Sequence, residues 1–104
     1  MRMELRVKGM DAEDALRDYV ERRINVALSG FRAELGRVAI RLTKTDGSQG
    51  ASQKQCQIVI RLLPSGSVSV VATHADLFGA IDRAVERAGQ SVHRRLMSAR
   101  CFVR

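Results

Sequence analysis

Residues 37–44 read RVAIRLTK. Val38, Ile40 and Leu42 alternate with Arg37, Arg41 and Thr43. Successive side chains of a strand point to opposite faces, so this stretch has one apolar face and one basic face. A strand covered on both sides would be a continuous apolar run instead. The alternation therefore predicts a sheet packed on one side and wet on the other. Three further stretches repeat it. In RMELRVK, 2–8, Met3, Leu5 and Val7 face away from Arg2, Glu4, Arg6 and Lys8. In QCQIVIRLL, 55–63, Cys56, Ile58, Ile60 and Leu62 point inward. In SVSVVAT, 67–73, Val68, Val70 and Ala72 do. Gly9 ends the first strand and PSG turns the chain between the third and fourth. TDGSQGASQK, 45–54, reads as a flexible small-residue loop between the second and third.

Two stretches have the helical period. Asp11 is the expected N-cap of the first, with Glu13 and Asp14 in the turn where the helix dipole favours acids. Ala12, Ala15, Leu16, Tyr19, Val20, Ile24, Ala27, Leu28 and Phe31 form its apolar stripe, and Gly30 is its expected end. The second, DLFGAIDRAVERAGQSVHRRLMSAR, spans 76–100. Leu77, Ile81, Ala84, Val85, Ala88, Val92 and Leu96 make one face, flanked by Phe78. Gly89 either allows close approach to the first helix or ends the second one early.

The order is thus β-α-β-β-β-α. A right-handed crossover makes the first two strands parallel. One apolar sheet face must be shared by both helices. The expected class is α+β, a two-layer sandwich with a four-stranded mixed sheet and both helices on one face. At 104 residues the chain suits one domain, 1–104, and it shows no internal repeat or linker.

Apolar residues make up 45% and aromatic residues 4%, so the core must be aliphatic. No apolar run is long enough to span a bilayer, and MRMELRVKG has no apolar signal core. Cys56 and Cys101 lie far apart without CxxC spacing, which fits a reduced, cytoplasmic protein with free thiols. Net charge is +7 and the pI is near 10.7. The excess is uneven: residues 1–36 balance, 37–75 carry +4, 76–86 carry −2 and 87–104 carry +5. Such asymmetry suits a polyanion-binding face.

Little in the sequence suggests catalysis. His74 and His93 stand alone, and the acids gather at helix starts, where capping accounts for them. Two Cys and two His match no structural zinc spacing, so a buried free Cys56 is expected and no metal or cofactor. DGSQGASQK lacks the GK[ST] ending of a phosphate loop and joins two strands, although Lys44 and Lys54 flank it within reach of a phosphate backbone. The sharper signal is the outer line of the second helix: Arg83, Arg87, Gln90 and Arg94, spaced i, i+4, i+7, i+11. Asp82 and Glu86 offer local partners to Arg83 and Arg87, but Arg94, Arg95 and Arg100 have none nearby. Arginine forks suit phosphate oxygens. Few aromatics face outward, which favours backbone and shape recognition of folded RNA over base stacking. Arg6, Arg37, Arg41 and Arg61 face outward from the sheet, and charge alone does not choose between that face and the helices.

The helices DAEDALRDYVERRINVALSGF and ADLFGAIDRAVERAGQSVHRRL, with the middle DGSQGASQKQCQIVIRL, resemble the ribosome hibernation-promoting factor and ribosome-associated inhibitor A family over nearly the whole chain. The start of the second helix, DLFGAID, is similar to that family's DLYAAID. The resemblance implies a fold akin to a double-stranded-RNA-binding domain and a non-enzymatic stress factor. It implies binding to small-subunit rRNA between head and body, occupancy of the mRNA and tRNA positions near the decoding centre, and inhibition of translation. No membrane partner and no small-molecule substrate are expected, and the chain is expected to be a monomer. Longer members add a ribosome-pairing domain, which this chain is expected to lack. By position, Arg23, Arg87 and Arg94 fall where the family places Lys or Arg. Charge geometry adds Arg83, Arg95, Lys44 and Lys54. Phe78 replaces the usual Tyr, Gly79 the usual Ala, and Gln90 stands where many members have Arg. A structured-RNA-binding module without ribosome preference is the alternative reading.

Overall fold

The computed structural model describes residues 2–9, 11, 13–46 and 52–102, leaving aside the side chains of residues 46, 52 and 99–102. The elements run β1 (Arg2–Lys8), α1 (Asp14–Ala27), a 3-10 helix (Ser29–Glu34), β2 (Leu35–Asp46), β3 (Ser52–Leu62), β4 (Ser67–His74) and α2 (Leu77–Phe102). The four strands lie in the order β1-β2-β3-β4. β1 and β2 are parallel, as a helical crossover requires, and the other two pairs are antiparallel. This is the α+β class expected from the alternation.

The alternation is realised residue by residue. Val38, Ile40, Leu42, Cys56, Ile58, Ile60, Leu62, Val68 and Ala72 are buried from the sheet. Leu16, Val20, Ile24 and Leu28 meet them from the first helical segment, and Ala80, Ile81, Ala84, Val85, Ala88, Val92 and Leu96 from α2. Burying each large aliphatic side chain stabilises by about 1.5–3 kcal/mol. No polar or charged residue is buried among those described. Near its start β2 carries a bulge: Leu35 pairs with Leu62 and Val38 with Ile60, so three steps on β2 match two on β3. The extra residue lets Leu35 and Val38 both face the core.

Boundaries differ from expectation in three places. First, α1 begins at Asp14 with Glu13 at the N-cap position, where no side-chain bond is made; Asp11 lies outside the helix and does not cap it. Second, α1 ends at Ala27 and not at Gly30. Ser29 and Gly30 are weak helix formers, and the chain tightens there into a 3-10 turn in which the Phe31 amide donates to the Leu28 carbonyl. Leu28 stays buried through the change and Phe31 packs against the core. Third, the loop expected at 45–54 is shorter, because Thr45 pairs with Gln53 and Asp46 with Ser52. Residues 47–51 lie outside the described residues. Between β3 and β4, Gly66 (φ 99°) takes a conformation that side chains rarely adopt, and its carbonyl accepts the Leu62 amide.

α2 runs unbroken through Gly89. A Cβ there would lie 3.7 Å from the Ala27 Cβ, so Gly89 borders α1 without being squeezed by it. No helix among the described residues is long and apolar enough to cross a membrane.

Candidate nucleic-acid interface

α2 starts with a cap built from two elements. The Asp76 carboxylate accepts the Gly79 amide at 3.1 Å, the usual N-cap bond. The Asp76 amide donates to His74 Nδ1 at 3.0 Å. In a capping box the residue three places into the helix would supply that acceptor. Here that residue is Gly79, which has no side chain, and the last residue of β4 supplies it. The imidazole occupies the space beside Gly79: a Cβ there would sit 2.7–2.8 Å from the ring. The departure to Gly79 is thus explained by His74.

Beyond the cap, α2 runs back along β4, whose outer side is a free edge of the sheet. Three arginines reach over it. Arg83 Nη1 donates to the Thr73 carbonyl at 3.3 Å, Arg87 Nη1 to Val71 at 3.0 Å and Arg95 Nη1 to Ser67 at 3.4 Å. Each bond satisfies one edge carbonyl and blunts the edge against other strands. A guanidinium has five N–H donors, so each fork keeps several for a ligand. All three residues are exposed. Arg94 and Gln90 continue the outer line on the other flank, where they line a groove of about 760 Å³ with Phe31, His93 and Met97.

Asp82 is not a local partner for this line. It turns to α1, where Arg23 Nε lies 3.1 Å from its Oδ1 and the Tyr19 hydroxyl donates to the same oxygen. Arg23 Nε is close to Asp82 but off the hydrogen-bond line, and it makes no hydrogen bond. The bond to Asp82, with burial and the carboxylate's charge, pushes the Tyr19 hydroxyl pKa up. Phe78 meets the Tyr19 ring edge-on, with centroids 4.8 Å apart. The acid that the sequence offers to Arg83 is therefore spent on the helix seam. Arg83 and Arg87 make no ion pair among the described residues.

The remaining candidates lie apart. Lys44 and Lys54 are directly opposed on β2 and β3, and Lys54 registers with His74. They sit at the end of the sheet where α2 begins. Arg23 sits on the α1–α2 seam. The structure thus brings Arg83, Arg87 and Arg95 to the β4 edge, with Gln90 and Arg94 on the other flank of α2, Lys44 and Lys54 at the sheet end beside His74, and Arg23 on the seam. Tyr19 and His74 carried no signal as members of this site, because their partners lie in other elements. Among the described residues no three His, Cys, Asp or Glu side chains gather as a metal site would need.

A family model described as sigma 54 modulation protein / S30EA ribosomal protein matches residues 3–97. The chain belongs to this family. Its resemblance to the ribosome hibernation factors is borne out by that match. Among solved structures, this S30EA-family chain is 30% identical to the N-terminal domain of Protein Y from Thermus thermophilus, over 90% of this chain and 98% of that one, with a TM-score of 0.73. A ribosomal subunit interface protein from Coxiella burnetii shares the fold, with a TM-score of 0.80 over 93% of this chain and 99% of that one, at 16% identity. No curated protein matches it.

Proposed function

We propose that this chain is a non-enzymatic ribosome-binding factor of the cytoplasm that acts as a monomer under stress. It occupies the small subunit near the decoding centre and stops translation by occlusion, with its arginines on rRNA phosphates. The observation that carries the reading is the α2 row: Arg83, Arg87 and Arg95 are oriented by the β4 edge, and Asp82 is drawn away to Arg23 and Tyr19. Family membership supports a ribosomal partner. So does the naming of one structural relative as a ribosomal subunit interface protein. Arg23, Lys44, Lys54 and Arg94 are proposed as further phosphate contacts, and Gln90 as a polar one. Binding through phosphates weakens with salt, by about 0.7–0.9 in log affinity per contact for each tenfold rise.

Co-sedimentation with small subunits across a salt series, with an unrelated structured RNA as competitor, tests the reading. Salt-sensitive pelleting that the competitor does not displace is expected. Pelleting that the competitor removes would instead favour a general structured-RNA module, and protein left at the top of the gradient at low salt would overturn both.

A further inference from the structure

The interface above uses the helix layer and one edge of the sheet. No described helix covers the opposite sheet face, where Val59 and Val71 are exposed. It carries Arg2, Arg6 and Lys8 of β1, Arg37 and Arg41 of β2 and Arg61 of β3. Glu4 is the one acid among its described residues, and it engages Arg6 and Arg37. Arg41 and Arg61 have no acidic partner among the described residues.

Register and a shared depression gather four of these arginines into two pairs, with Arg2 also opposite Arg37. Arg6 stands directly opposite Arg41. Arg61 stands across from the β2 bulge that holds Arg37, and the two line one depression of about 590 Å³ with Ser65 and Ser67. Arg6, Arg37 and Arg41 line an adjoining one of about 330 Å³. Ala39 and Val59 floor both. The pairs are four residues apart along β2, about 13 Å at strand rise. Like charges directly opposed across strands destabilise a sheet. Glu4 offsets this at Arg6 and Arg37, one member of each pair, and leaves Arg41 and Arg61 exposed without an acidic partner among the described residues, so that an extended anion lying across the face meets both. A backbone with regular phosphates has that chemistry, and arginine's fork suits it.

This face is also distinct from the α2 row. β4 lies between them and turns the uncharged Ser67, Ser69, Val71 and Thr73 to this face; the two come nearest at Ser67, which lines the Arg61 depression and whose carbonyl accepts Arg95. One RNA strand reaches both surfaces only by wrapping around that edge. We propose that the open sheet face is a second RNA-phosphate surface, so that one chain holds two RNA segments, one on each side. The inference rests on the reading of the chain as an RNA binder, but not on the RNA being ribosomal.

The test uses two RNA hairpins, one immobilised and one fluorescent, with labelled protein to count chains. Wild type is expected to capture the fluorescent hairpin at one chain per hairpin pair. Arg41→Gln/Arg61→Gln should still bind the immobilised hairpin and lose the capture. Its slope of log affinity against log salt should fall by about two units, and Arg87→Gln/Arg94→Gln should fall similarly. The melting temperature of Arg41→Gln/Arg61→Gln should stay close to wild type, since both side chains are exposed and make no ion pair among the described residues. An unchanged slope and capture in Arg41→Gln/Arg61→Gln overturns the proposal, as does capture needing two chains, or none by wild type. Loss of binding to anionic lipid vesicles in that variant, with its RNA slope intact, assigns the face to membranes and also overturns it. Hairpin capture without small-subunit pelleting would refute the ribosomal reading alone.

Discussion

The pairing of Gly79 with His74 makes a specific prediction. A methyl group at position 79 would stand 2.7 Å from the imidazole, so Gly79→Ala must displace the ring and break its bond to the Asp76 amide. Overpacking of this kind costs about 1–3 kcal/mol, against a helix-propensity gain of up to about 1. Gly79→Ala should therefore lose about 1 kcal/mol in urea unfolding. His74→Ala/Gly79→Ala should be more stable than Gly79→Ala alone; simple additivity would show that the ring does not dictate the glycine. Cys56 gives a second prediction. Burial pushes its thiol up from 9.0 to about 12. The unfolded chain releases the proton first, so this contribution to stability is whole below pH 9 and declines as pH climbs toward 12. At about pH 10.5 the decline is about 2 kcal/mol. Cys56→Ala should be less stable near neutral pH and lack this part of the alkaline decline, as urea titrations at both pH values would show. Both residues could be seen in the sequence, but only Cys56 could be read there. Its inward place followed from strand alternation, whereas the reason for Gly79 lies in a ring from another element.

At the scale of elements, the two periods were legible because they answer to burial. The inward residues of β1 to β4 and the apolar face of α2 are where alternation and helical spacing put them. Ends were less legible. Asp11 has the chemistry of a cap, but capping needs the backbone to turn there, and it turns at Glu13. The α1 terminus was obscured because a 3-10 turn keeps Leu28 and Phe31 on the side an α-helix would also give them. The cation row was legible as a line on α2. Its orientation was not, because the carbonyls of Thr73, Val71 and Ser67 belong to a strand edge whose place depends on the whole sheet. The same holds for Asp82, which looks local in sequence and bonds Tyr19 across 63 positions. Gly89 tests the α1–α2 seam. Since its added Cβ would make ordinary contact with Ala27, Gly89→Ala should stabilise by about 0.5–1 kcal/mol in thermal or urea unfolding. A loss would mean that the helices meet more closely than their geometry allows.

For the whole molecule, the central matter is where the net charge of +7 resides. Folding sorts it. Residues 1–36 balance their acids and bases, and Asp82 is paired at the seam. The arginines of α2 and of the open sheet face are left outward. Charge reversal on α2 separates gripping from folding. Arg87 and Arg94 are exposed, and Arg87 makes one bond to a carbonyl. Arg87→Glu/Arg94→Glu should therefore change stability by no more than about 1 kcal/mol. The most direct measurement is the affinity of that variant for small ribosomal subunits on sucrose gradients over a salt series, beside its melting curve. The account predicts binding weakened at least several-fold, a salt slope lower by about two units, and a melting temperature close to wild type. A folded variant with wild-type affinity and slope would contradict it, and would leave the α2 row as a cover for the β4 edge.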